Sequence, residues 1–146
     1  MTGRRHNLHF RKLLVGYDGS PQSVKAVDIA FSLAESLDAT VLIFAVARPP
    51  EPSTSVELEA MLDSAKEHFE KEFEKIMVKA REQNLDVKTA MAVGHPAEQI
   101  IHRAEVDAID LIILGRRGRS AISRMMLGSV SERTLRYAHC PVMVVH

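Results

Sequence analysis

Residues 111–131 read LIILGRRGRSAISRMMLGSVS. Four apolar residues, Leu111, Ile112, Ile113 and Leu114, run into Gly115; Gly118 follows three positions later, and after nine more residues Gly128 and Ser129 open what reads as a helix. A short, unbroken apolar run ending in glycine fits a strand buried on both faces, as strands of parallel sheets are. Glycine lets another backbone or a ligand approach closely, so glycines where a strand hands over to a helix are candidate phosphate contacts. They serve equally well as plain turn residues, and this stretch alone leaves both readings open.

Charge is the first feature met on moving outward. The chain of 146 residues carries 19 basic and 19 acidic side chains, so no global field draws it to nucleic acid or to a membrane. Yet from Leu111 onward six arginines, Arg116, Arg117, Arg119, Arg124, Arg133 and Arg136, stand against one acid, Glu132. That local excess beside the glycines favours an anionic partner. With 46% hydrophobic and 26% charged residues the composition is that of one globular domain, far from the disordered class. Cys140 is the only cysteine, which excludes an internal disulfide and fits a reducing compartment. The seven histidines show no tight ligand spacing, so no structural metal is expected. Residues 1–10 read as a flexible basic tail, with Arg4 and Arg5 but no apolar segment of a signal peptide. The domain then occupies 11–146. No run approaches the ~18 apolar residues of a membrane span, and a soluble, cytoplasmic protein is expected.

Upstream the same strand-to-helix grammar repeats. Leu13-Leu14-Val15 ends in Gly16-Tyr17-Asp18-Gly19-Ser20 and Pro21: a strand, then a helix capped by Ser20 with proline in its first turn, running to about Leu37. TVLIFAV (40–46) is a second buried-type strand, and residues 48–55, with three prolines, read as an exposed loop. A long helix from about Val56 to Gln83 carries Leu58, Leu62, Ala65, Phe69, Phe73, Ile76 and Ala80 on one face. Its seven-residue repeat resembles a coiled coil, but a helix packed on a sheet is the preferred reading. An edge-like strand (87–93), a helix opened by Pro96, the strand 111–114, a helix at 129–138 and a closing strand, PVMVV from Pro141 to Val145, complete the chain. Regular β-α alternation predicts an open parallel sheet with helices on both faces, whose ligands sit beyond the strand C-termini where strand order reverses. If the first and fourth strands are neighbours there, Asp18 faces Gly115 across one crevice: a carboxylate for sugar hydroxyls or a metal, opposite backbone donors for phosphates.

The glycines fit neither a Walker A loop, which needs a lysine, nor a G-x-G-x-x-G fingerprint, which belongs after the first strand. The pattern Gly115-x2-Gly118-x9-Gly128-Ser129 resembles the nucleotide-binding signature of the universal stress protein family. So do VGYDGS (15–20), Gly94, Pro96 and Ile100, DLIILG (110–115) and CPVMVV (140–145), so the resemblance spans nearly the whole chain. It implies a five-stranded parallel sheet of order 3-2-1-4-5, adenine nucleotide alpha hydrolase-like, commonly a homodimer through the last strand. In the subgroup with the full signature it also implies ATP binding with Mg2+. Carried onto this chain, Asp18 contacts the ribose or a phosphate-bound metal, Gly16, Val46, Leu114 and Gly115 line the adenine site, and Gly118, Gly128, Ser129, Val130 and Ser131 hold phosphates.

Plainer roles stand beside these. Ser129-Val130-Ser131-Glu132 is also a capping box serving its own helix, Asp18 can brace its own turn, and the arginines can be solvated side chains. Cys140 reads as an inert buried thiol, and Met125 and Met126 as packing under the loop. Without a well-placed general base, an ATP-binding regulatory module with little turnover is the leading function. A slow ATPase switch, an interaction module using the arginine-rich third and a flavodoxin-like electron carrier are the alternatives. Nucleic acid is disfavoured because stacking aromatics are missing there except Tyr137.

Overall fold

The computed structural model describes residues 9–49, 51–52, 54–116 and 127–146. Nine elements alternate: β1 (Lys12–Gly16), α1 (Pro21–Leu37), β2 (Thr40–Ala47), α2 (Ser55–Glu82), β3 (Val87–Val93), α3 (Pro96–Val106), β4 (Leu111–Gly115), α4 (Ser129–Tyr137) and β5 (Val142–Val145). The strands form one sheet, β3-β2-β1-β4-β5, and every neighbouring pair is parallel. This is the expected order, with β1 and β4 adjacent where the winding reverses.

Strand alternation sorts the core into two layers. Leu13, Val15, Ile43, Leu111 and Ile113 pack with Ala26, Ala30 and Phe31 of α1 and Phe73 and Ala80 of α2; Phe10 joins this layer at its edge. Leu14, Leu42, Phe44, Ile112 and Leu114 face the other way, against Ile100 and Ala104 of α3, with Val130 of α4 packed alongside. Burial on both faces explains why β1, β2 and β4 lack the apolar-polar alternation of a half-exposed strand.

Helix α1 starts as its sequence dictates: Ser20 is the N-cap, its Oγ accepts from the Ser23 N–H at 3.2 Å, and Pro21 opens the first turn. Helix α2 begins with a capping box that the sequence reading passed over. Thr54 Oγ1 accepts from Glu57 N at 3.2 Å while Glu57 Oε2 accepts from Thr54 N at 3.1 Å. Of the apolar face expected for this helix only Phe73 and Ala80 are fully buried, both in its second half. Among the described residues no helix is long and apolar enough to cross a membrane.

Candidate functional site

The C-terminal ends of β1, β2 and β4, together with the starts of α3 and α4, enclose a cleft of about 260 Å³. It sits at the reversal point, as the rule for open α/β sheets requires. Gly16, Asp18, Val46, Leu114, Gly115, Gly128, Ser129, Val130 and Ser131 all line it. Four segments separated by up to about a hundred residues of sequence thus meet in one concavity. Gly118 lies outside the described residues, as do Arg117, Arg119, Arg124, Met125 and Met126.

One wall is the β1–α1 turn, held by its own hydrogen bonds. Asp18 Oδ1 accepts from Ser20 N at 2.9 Å, Ser23 Oγ accepts from Asp18 N at 3.4 Å, and the same hydroxyl donates to Ser20 O at 2.9 Å. Asp18 therefore does brace its turn, while its Oδ2 makes no hydrogen bond among the described residues and remains for another partner. Tyr17 N donates to Phe44 O at 2.9 Å, carrying the β1–β2 pairing past the strand end.

The opposite wall is the start of α4, where the capping-box reading fails. The N-cap is Gly128, not Ser129, and it makes no side-chain cap hydrogen bond. Ser129 already has helical backbone as the first residue of α4, so its hydroxyl is not in the N-cap place, and Glu132 pairs instead with Arg136 at 3.4 Å. Gly128 itself is pinned: its N–H donates to Arg116 O at 2.9 Å and its carbonyl accepts from Glu132 N at 2.9 Å. The N–H groups of Ser129, Val130 and Ser131 have no acceptor within the helix and lie at the positive end of its dipole. Ser131, buried, donates its hydroxyl to Gly115 O at 2.7 Å, fixing α4 to the end of β4.

Gly115 is needed for a second reason. A Cβ there would come within 2.7 Å of Gln22 Cβ and 2.9 Å of the Gln22 carbonyl carbon, so β4 and the first turn of α1 touch only because this residue is glycine. Between the two walls the floor is apolar, made by Phe44, Val46, Ile100 and Leu114, with Pro96 at its side. Asp18 is the one carboxylate among the described lining residues. Among the described residues no group of three or more His, Cys, Asp or Glu side chains is placed to hold a metal ion. Any Mg2+ in the cleft would therefore take most of its ligands from a bound anion, with Asp18 as the protein contribution.

Arg48 also lines the cleft and was missed, because three nearby prolines made its segment read as loop. The signal lay in the two-residue period of β2, which carries Phe44, Val46 and Arg48 toward the same face. Outside the cleft, Cys140 is half-buried rather than buried; burial chiefly, and then the charge of Asp110, pushes its thiol above the ordinary value.

Residues 9–146 match the universal stress protein family. The chain belongs to that family. Universal stress protein YxiE of Bacillus subtilis is 36% identical over 146 residues, covering 93% of this chain and 99% of its own. The solved structure of MJ0577 from Methanocaldococcus jannaschii is similar at a TM-score of 0.85 and 25% identity, covering 94% of this chain and 96% of that one. A universal stress protein crystallised in complex with cAMP is similar at a TM-score of 0.67 and 27% identity, covering 94% and 98% of the two chains.

Proposed function

We propose that this universal stress protein binds an adenine nucleotide, ATP with Mg2+ foremost, and acts as a regulatory module in the stress response with little or no turnover. The observation that carries this reading is the convergence of Asp18, Val46, Gly115 and the uncapped start of α4 on one cleft with an apolar floor. The cAMP complex of a related protein supports the same ligand class. Val46 and Leu114 receive the base with Gly16 and Gly115 beside it, and Asp18 Oδ2 accepts from ribose hydroxyls or helps hold a phosphate-bound Mg2+. The N–H groups of Ser129, Val130 and Ser131, reached past Gly128, donate to phosphates; the signature pattern assigns Gly118 to the same end.

The described lining residues support low turnover. Asp18 is the one described candidate base, and half of its carboxylate is committed to Ser20 N. Of the arginines an interaction module would use, Arg133 and Arg136 pair with Glu98 and Glu132. In this reading the chain works in the cytoplasm, and it forms a homodimer through β5 and Pro141, since among the described residues β5 pairs with β4 alone and leaves one edge open.

Native mass spectrometry of the freshly purified protein, followed by calorimetric titration with ATP and Mg2+, tests the reading. A co-purifying or titratable adenine nucleotide is expected. Absence of any nucleotide binding removes it, and rapid release of phosphate from radiolabelled ATP would replace the module with the ATPase switch.

A further inference from the structure

Arg48 has no task in the reading above. It lies one residue beyond β2 and continues the row of Phe44 and Val46 on the α3 side of the sheet. Exposure rises along that row, from buried Phe44 through half-buried Val46 to exposed Arg48, so the row climbs from the floor of the cleft to its rim. Arg103, Arg116, Arg133 and Arg136 each have a side-chain partner. The Arg48 guanidinium has none among the described residues, and Asp18, the described carboxylate of the cleft, is not paired with it.

Its position relative to the other end of the cleft decides what it meets. The start of α4 stands over β4, and Arg48 over β2, with β1 between them; two strand spacings come to about 10 Å. A nucleotide with its phosphates at α4 and its base on Val46, Ile100 and Leu114 would bring that base to the β2 side of the cleft, where Arg48 stands at the rim. Guanidinium is a planar, donor-only fork. Guanine and hypoxanthine offer it two adjacent acceptors, O6 and N7, whereas adenine sets a donor, the 6-amino group, beside N7.

We propose that Arg48 tunes base preference in this cleft by donating in a fork to O6 and N7, so that 6-oxopurine nucleotides gain over adenine nucleotides relative to a cleft without it. This rests on the proposal that a purine nucleotide fills the cleft. Arg48 widens the ligand class from adenine nucleotides to purine nucleotides generally, and it does so from a position the glycine signature does not include.

Calorimetric titration of the wild type, Arg48→Lys and Arg48→Ala with ATP, GTP and inosine triphosphate provides the test. Inosine triphosphate carries O6 and N7 but lacks the 2-amino group of guanine, so it isolates the edge in question. In both variants the affinity for inosine triphosphate relative to ATP should fall about tenfold, with GTP following, because lysine keeps the charge and loses the fork. Melting temperatures should stay at the wild-type value, since the side chain is exposed and unpaired. A ratio unchanged in both variants, as stacking on the base face or a pull on phosphates would produce, overturns the inference and leaves the nucleotide reading standing. A ratio lost in Arg48→Ala but kept in Arg48→Lys also overturns it, assigning the effect to charge. If the wild type binds none of the three nucleotides, the underlying reading falls and takes this one with it.

Discussion

The two strand-to-helix junctions that face each other across the cleft, β1–α1 and β4–α4, solve the same problem in opposite ways. At β1–α1 the helix start is capped from within the turn: Ser20 caps, Asp18 accepts from Ser20 through one carboxylate oxygen, and Ser23 closes the loop. At β4–α4 a glycine stands where the cap should be, and the first N–H groups of the helix are left without a side-chain acceptor. A glycine N-cap is less stabilising than Ser or Asp by roughly a few tenths of a kcal/mol, so the second junction gives up a little stability to keep donors free. Rigidity is retained by other means: Ser131 and Gly128 tie α4 to β4 and Arg116 through bonds that leave those donors alone. One junction is a finished wall, and the other is a wall with its sockets left open.

Making the second junction resemble the first breaks the comparison most severely. Gly128→Asp should supply the missing cap and place a negative charge where phosphate is expected. Nucleotide affinity should fall by about a hundredfold or more while stability rises by about 0.5 kcal/mol. Calorimetric titration and thermal melting would read these opposite signs, and a variant that lost both affinity and stability would show that Gly128 serves folding alone. Next in size is Gly115→Ala, which drives a methyl group into the Gln22 backbone and should cost about 1–3 kcal/mol in chemical denaturation.

Smaller effects sharpen the contrast. Ser20→Ala should cost about 1 kcal/mol through the lost cap and leave nucleotide affinity nearly untouched. Ser131→Ala should cost a similar ~1 kcal/mol but also weaken affinity several-fold, since it frees the donor-bearing end of α4 from Gly115. Equal affinity losses in the two serine variants would erase the distinction between the junctions. The smallest effect expected is at Cys140, away from the cleft. With its thiol pushed up by burial, alkylation near neutral pH should run slower than for a free thiol, and the deficit should shrink as pH is raised toward the folded value.

Much of this architecture was legible in the sequence because the buried strands carry it openly. KLLVG, TVLIFAV and LIILG admit few readings once β-α alternation is seen, and the Ser20-Pro21 helix start is unambiguous. Where the sequence misled, two local patterns shared the same letters. Ser129 and Glu132 have the spacing of a capping box, yet Gly128 adopts extended backbone (φ −62°, ψ 152°) and the helix starts one residue earlier than that pattern requires. Arg48 was lost for a different reason: three prolines and two serines dominate 48–55 and mask the last step of strand alternation. The apolar face of α2 continues past its fully buried part because periodicity records only which side of a helix is apolar. Twenty-eight helical residues extend about 42 Å, whereas eight strand residues span about 26 Å, so the sheet runs out before the helix does.

That overhang divides α2 into parts with different lifetimes. Amides around Phe73 and Ala80 open only when the sheet face they cover is uncovered, and their protons should exchange with solvent at rates set by global unfolding. Around Val56, which is 75% exposed, little beyond the Thr54 and Glu57 cap resists fraying, so exchange there should be faster by orders of magnitude. The same continuous helix therefore has one end that keeps time with the whole fold and another that keeps its own.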